Sequence, residues 1–244
     1  MAGLVPAIYV FVTEGPIRKT WIPATSAGMT ACLGPQQTAQ GPMAETVSAT
    51  QEMQVAQVRA ILLRSPILTT VFDRWAKIDL PDCWVAAGVL AQTVWNDAFE
   101  LPLGYGISDV DLVYFDADDL SEDAEAQHSR RIRELFSDLP VWIDVKNEAR
   151  AHLWYQAKFG FAIRPYISTE DAITTFPTTA TAIGLQQEKN QLRLFAPYGL
   201  TDLLGSIVRA NKKQITRPIY EAKLARWLAL WPRLQVVPWD SEPQ

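Results

Sequence analysis

Apolar residues recur at helical spacing through MQVAQVRAILL (53–63) and, once Pro66 restarts the chain, through PILTTVFDRWAKI (66–78). DLPDC breaks that second helix, and CWVAAG (83–88) predicts a short buried strand ending at Gly88. VLAQTVWNDAF (89–99) is helical again, with Val89, Gln92, Thr93 and Asn96 on overlapping faces. A loop with two glycines, LPLGYGIS (101–108), leads into DVDLVYFD (109–116), which alternates as a strand does. LSEDAEAQHSRRIRELFSDL (120–139) predicts an amphipathic helix with a charged outer face. VWIDVKN (141–147) predicts another strand, and EARAHLWYQAKFG (148–160) a helix closed by Gly160. TATAIGLQQ and QLRLFAP flank Glu188-Lys189-Asn190 as the arms of a hairpin, and YEAKLARWLALW (220–231) is a C-terminal helix. Strands alternating with helices, followed by a helical remainder, indicate an α/β or α+β chain: one catalytic core with a helical C-terminal part.

Residues 1–42 do not share this patterning. They hold five of the sixteen prolines and only three charged side chains, Glu14, Arg18 and Lys19. MAGLVPAIYVFV has the apolarity of a signal segment, but no basic stretch precedes it and no clean cleavage site follows. MAGLVPAI and KTWIPATSAGMT together resemble a translated dispersed repeat found upstream of alphaproteobacterial genes. On that resemblance residues 1–42 are expected to be a non-native or disordered extension, with the start at Met43 or Met53. A single domain is expected over 43–239 and a tail over 240–244.

Composition narrows the chemistry. The chain has 244 residues, 48% of them hydrophobic and 20% charged, enough to bury a sizeable core. A net charge of −5 argues against bulk nucleic-acid binding. No apolar run reaches the roughly 18 residues of a membrane-spanning helix. Cys32 and Cys83 have neither disulfide-scaffold nor zinc spacing, and His128 and His152 are the only histidines. With no credible export signal, a cytoplasmic location is expected. What chemistry remains must rest on carboxylates.

Asp109 and Asp111 are two apart on a predicted strand, so both leave one face with Cα atoms about 7 Å apart. Val110, Leu112 and Tyr114 take the other face. Paired like charges are best tolerated with a cation between them, and magnesium prefers such oxygens while accepting phosphate. Asp144 lies on the next strand with Trp142 and Lys146 on its face; if the strands are neighbours, it completes a three-carboxylate site. In the alternative arrangement Asp109 caps the strand, Asp111 meets a basic partner and Asp144 faces solvent.

AAGVLAQTVWN (86–96), GISDVDLVYFD (106–116), IDVKNEARAHLWYQAKFG (143–160), FAPYGLTDLLGSIVRAN (195–211) and YEAKLARWLALWP (220–232) together resemble a bacterial nucleotidyltransferase-like family, once a domain of unknown function. That family belongs to the DNA polymerase β-like nucleotidyltransferase superfamily. The resemblance implies a minimal nucleotidyltransferase fold, α+β with an α/β-type core: a short mixed sheet flanked by helices, plus a C-terminal hairpin and helices. It implies Asp109 and Asp111 as ligands of Mg2+ (or Mn2+), with Asp144 as the third catalytic carboxylate. Gly88 would open the helix whose amides face the nucleotide phosphates. The implied reaction transfers a nucleoside monophosphate from an NTP to a hydroxyl acceptor and releases pyrophosphate. The acceptor is left open between a small molecule, a protein and an RNA end. Two departures stand out: Val89 follows Gly88 where the superfamily has a Gly-Ser or Gly-Gly pair, and LPLGYGIS lengthens the interval to Asp109.

Lys146, Asn147 and Arg209 are further candidates for nucleotide contact, although Asn147 suits a helix N-cap equally well. Arg150 and His152 follow Asp144 closely, and His152 has the surroundings of a packed histidine. Arg209, Asn211, Lys212, Lys213 and Arg217 form a basic cluster suited to a triphosphate tail, an RNA acceptor or a solvated loop. Trp227, Trp231 and Trp239 suit core packing. Two other classes of function compete with transfer: a non-catalytic nucleotide- or partner-binding module on the same fold, and a glycosyltransferase using the same Asp-Val-Asp to grip a nucleotide-sugar.

Overall fold

A computed structural model describes residues 8–12, 48–189 and 191–241. In chain order the elements begin with β1 (Ile8–Val12), α1 (Ala49–Leu62), α2 (Pro66–Asp73), β2 (Trp84–Ala86), α3 (Gly88–Ala98) and β3 (Asp109–Tyr114). α4 (Glu122–Leu135), β4 (Trp142–Asn147), α5 (Ala151–Phe159) and α6 (Thr169–Ile173) follow. β5 (Gly184–Glu188), β6 (Gln191–Ala196), α7 (Thr201–Leu204), β7 (Ile207–Val208), α8 (Arg217–Leu230) and β8 (Gln235–Val236) complete the chain.

Five strands form a mixed sheet in the order β6-β5-β2-β3-β4, and β1 pairs antiparallel with the β6 edge. β1 thus lies within the stretch read as an extension. β3 and β4 are parallel, which demands a crossover, and α4 supplies it. Ser121 caps α4, acidic residues fill its first turn, and Ser129 and Ile132 face inwards. β5 and β6 make the expected hairpin. The sheet with its flanking helices is the α+β arrangement implied by the resemblance.

Strand alternation divides the core between the two sheet faces. Val85, Val110, Leu112, Ile143 and Val145 lie on one side, in one apolar cluster with residues of α1, α3, α4 and α8. Residues 89–96 of α3 are all buried, as a helix enclosed on every side must be. Trp95 lies edge-on to Trp227 of α8 and to Trp231, the residue that caps its C-terminus. Trp84, Ala86, Val113, Ile173 and Phe195 form a smaller cluster on the other face, leaving the starts of β3 and β4 open there. Among the described residues no single helix is long and apolar enough to cross a membrane.

The inserted loop before β3 is tied down by a buried polar hub. The side-chain amide of Asn96 donates to the carbonyls of Leu103 (3.0 Å) and Tyr105 (2.8 Å), while its oxygen accepts from Trp231 Nε1 at 2.7 Å. Gly106, at φ 69°, presses on Trp231: a Cβ there would stand 2.8 Å from the indole. Asn96 is therefore a structural anchor, and the glycines of this loop serve packing.

Candidate active site

Three aspartates project from the open face of the β3–β4 pair. The parallel register sets Asp111 beside Asp144 and Asp109 beside Trp142. Register partners share a sheet face, as do residues two apart on one strand, so Asp109, Asp111 and Asp144 leave the side opposite Val110, Leu112 and Val145. The strands are neighbours, which is the condition for Asp144 to join the pair.

Their charges crowd one another. Burial, followed by the charges of Asp109 and Asp144, pushes the Asp111 carboxyl up to about 7. Glu148, in the turn Glu148–Arg150 after β4, is pushed up to about 8 by burial, with Asp111 and Glu125 adding to it. Cations border the group without neutralising it. Lys146 Nζ stands 3.6 Å and Arg133 Nη2 3.8 Å from Asp144 Oδ1. Lys223 of α8 is half-buried, and burial lowers its ammonium pKa; nearby Arg226 lowers it further, while Asp111 and Asp109 pull it back up. Lys223 therefore addresses the Asp109–Asp111 end of the row, and Glu148 the Asp111–Asp144 end.

β2 brings in the second component. Ala86 pairs with Asp111 across the edge of β3 that β4 does not use, so Gly88, two residues on, opens α3 beside the aspartates. The N-cap residue Ala87 sits at φ 55°, ψ −112°, backbone that glycine adopts readily and alanine only under strain. Alanine has no capping side chain, so the first-turn amides and the helix dipole together suit an anion. Gln92, one turn on, is 8% exposed and its Oε1 has no partner among the described residues. Its Nε2 lies 3.2 Å from where a Cβ on Gly88 would stand.

The donor set has the chemistry of a hard divalent cation: three carboxylates on one face, the central one driven towards its neutral form by burial and by the other two. As placed, no three His, Cys, Asp or Glu side chains among the described residues converge on a single point. Asp144 is turned to Lys146 and Arg133, and Asp109 accepts from Ser108 Oγ at 2.9 Å. Closing the three onto an ion requires side-chain rotation at the open end of β3.

The other candidates divide cleanly. Gly88 and Lys146 lie with the aspartates. Asn147 faces the opposite side and is fully engaged. Its Oδ1 accepts from the backbone of Ala149 (3.1 Å) and Asp116 (3.0 Å), and its Nδ2 donates to the carbonyl of Asp116 at 2.8 Å. Arg150 is 8% exposed and pairs with Glu125 at 2.9 Å. Arg209 is held by Asp202 at 2.9 Å, Arg217 by Glu221 and Asp240, and buried Asn211 by the carbonyls of Thr174 and Phe176. Of that basic cluster, Lys212 and Lys213 stand exposed and outside the ion pairs among the described residues, with Lys212 Nζ 3.5 Å from the Ser241 carbonyl.

Glu148, Arg133 and Lys223 escaped the sequence reading. Lys223 had a signal: it falls three residues after Tyr220 and four before Trp227, both buried, which places a lysine at the inward edge of α8. Glu148 follows Asp144 by four residues, but only the turn after β4 brings it back to the carboxylates.

A profile described as nucleotidyltransferase matches residues 73–236, spanning β2 to β8 and all three aspartates. One solved structure, described as an NMR structure revealing a CCA-adding enzyme head domain, superposes with a TM-score of 0.62 at 24% identity. The match covers 75% of this chain and 95% of the other, and at that identity it shows the fold alone. No curated protein matches the chain.

Proposed function

Because the chain belongs to this nucleotidyltransferase family, we propose that it transfers a nucleoside monophosphate from an NTP to an acceptor hydroxyl at Asp109, Asp111 and Asp144. The observation that carries this reading is the β3–β4 register, which gathers three carboxylates beside the N-terminus of α3. A divalent cation, Mg2+ or Mn2+, held by these aspartates would offset phosphate charge and acidify the acceptor hydroxyl.

The chain's own groups supply the rest. The first-turn amides of α3 bind phosphate oxygens beside Gly88. Lys223 and Lys146 balance the charge gathered at the two ends of the row. Asp144 receives the hydroxyl proton as the acceptor oxygen bonds to the α-phosphorus and the α–β bridge breaks, releasing pyrophosphate. We place this activity in the cytoplasm, a location compatible with the free, buried Cys83 thiol.

The test is thermal shift with ATP, GTP, CTP and UTP, each with and without magnesium. Stabilisation that needs both metal and triphosphate, and is lost in Asp109→Ala, supports the site; no stabilisation by any of the four rejects it. One observation favours a second reading, a non-catalytic binding module: Asp144 is turned to Lys146 and Arg133. Metal-dependent binding with no pyrophosphate release across acceptor classes would select that module.

A further inference from the structure

A cavity of about 710 Å3 opens between the segment after α5, the end of α6 and the loop before α8. Its α6 wall and its α8 rim each connect to an element beside the aspartates. The Glu148–Arg150 turn packs against both β3 and α6, and Asp171, Thr174 and Thr175 at the end of α6 form one wall. Thr216, on the rim, is the N-cap residue of α8, the helix that carries Lys223 to Asp109 and Asp111.

The walls are built rather than incidental. Tyr166, 7% exposed, holds its hydroxyl 2.8 Å from both Thr175 Oγ1 and Gln214 Nε2. Arg164 forks onto Asp171 with contacts of 2.8 and 2.7 Å, so those two charges cancel. The ion pairs around the cavity take Arg164, Arg209 and Arg217 but, among the described residues, neither Lys212 nor Lys213. Each lysine instead lies beside an aromatic ring: Lys212 Nζ is 5.3 Å from the centre of the Trp239 ring and donates to the Ser241 carbonyl at 3.5 Å, and Lys213 Nζ is 5.4 Å from the centre of the Tyr198 ring. A ring face steers an ammonium without neutralising it. The mouth thus keeps two positive charges on a chain whose net charge is −5. Its volume is that of a small-molecule site.

We propose that this cavity receives the acceptor, and that the acceptor is a small phosphomonoester with a free hydroxyl, its phosphate held by Lys212 and Lys213. The inference rests on the nucleotidyl-transfer reading. The acceptor oxygen bonds to the α-phosphorus, pyrophosphate departs, the proton passes to Asp144, and the acceptor's own phosphate is unchanged.

The experiment uses the full chain without nucleotide or metal. Glycerol 3-phosphate, ribose 5-phosphate, O-phosphoserine and inorganic phosphate are titrated by calorimetry and by amide chemical shifts. At least one organic phosphate should bind more tightly than inorganic phosphate, with shifts at residues 212–216. The exposed double variant Lys212→Ala/Lys213→Ala should weaken that binding at least tenfold while keeping metal-dependent triphosphate stabilisation. Asp111→Asn should do the reverse. Absence of binding by every probe, or binding indifferent to the two lysines, overturns the proposal. Tighter, lysine-dependent binding of a twelve-nucleotide single-stranded RNA overturns the small-molecule class. Lysine-dependent phosphomonoester binding without any metal-dependent triphosphate binding supports the anion site and sinks the transfer reading instead.

Discussion

Acids lie on both sides of the β3–β4 pair, and the two sides treat them oppositely. On the side covered by α4, Glu125 is nearly buried and both its oxygens are answered: one pairs with Arg150 at 2.9 Å, the other accepts the Asn147 backbone N–H at 2.7 Å. On the open side Asp111 and Glu148 are half-buried against other carboxylates, and their pKa values rise to about 7 and about 8. An acid with every oxygen partnered holds structure together. An acid whose burial goes uncompensated retains capacity for a cation, and such groups gather where chemistry is done.

The comparison breaks most directly at Arg150. Arg150→Met leaves Glu125 buried and unpaired, and removing one partner of a buried ion pair costs about 3–5 kcal/mol. Urea unfolding should show that loss; a cost below about 1 kcal/mol would mean the covered side is no better satisfied than the open one. Asp111→Asn should behave in the opposite way. Removing a crowded charge should leave the urea midpoint unchanged or raised, while metal-dependent transfer falls at least about 10²-fold. Loss of fold in Asp111→Asn would return that residue to a structural role.

The same contrast has a pH signature. The carboxyls of Asp111 and Glu148 have folded pKa values above the ordinary 3.8 and 4.5. Well below pH 3.8 both states are protonated and these groups contribute nothing. From about pH 4 to about pH 8 the unfolded chain ionises first, so their contribution to stability falls as pH rises. Melting temperatures of the metal-free protein should decline across that window, and the decline should flatten in an Asp111→Asn/Glu148→Gln double variant. Saturating magnesium should flatten it as well, since an ion held there favours the charged carboxylates of the folded state. An equal slope in wild type and double variant would show that the acidic row is not the source.

Much of this contrast is legible in the sequence. Alternation in DVDLVYFD and VWIDVKN places the aspartates on faces, because a strand's period of two is local. Whether those faces coincide depends on pairing, which the α4 crossover decides and no local pattern encodes. The short elements α6, α7, β7 and β8 went unread because two to five residues carry no usable period. Asn147 and Arg209 suit ligand contacts and structural ties equally well by sequence, since their partners lie on other elements: Asp116 and Glu125 for one, Asp202 for the other. Lys223 lies on the readable inward edge of its helix, yet what it faces is set by where α8 docks.

The smallest expected effect sharpens the contrast at a single backbone position. Gly160 ends α5 at φ 86° and bears no strain, because glycine takes left-handed backbone freely. Ala87 takes φ 55° before α3 with a Cβ in the way, at a cost of about 1–2 kcal/mol. Ala87→Gly removes that cost but frees the unfolded chain by about 0.4–1 kcal/mol, so the net gain should be about 1 kcal/mol or less. It also loosens the turn that aims the first amides of α3, so metal-dependent triphosphate affinity should drop a few-fold even as the melting temperature rises. That opposition of signs is what strain kept for binding predicts. Should Ala87→Gly destabilise the protein instead, the buried surroundings of Ala86 and Ile183 would be holding the turn, and Ala87 would belong with the satisfied side of the sheet.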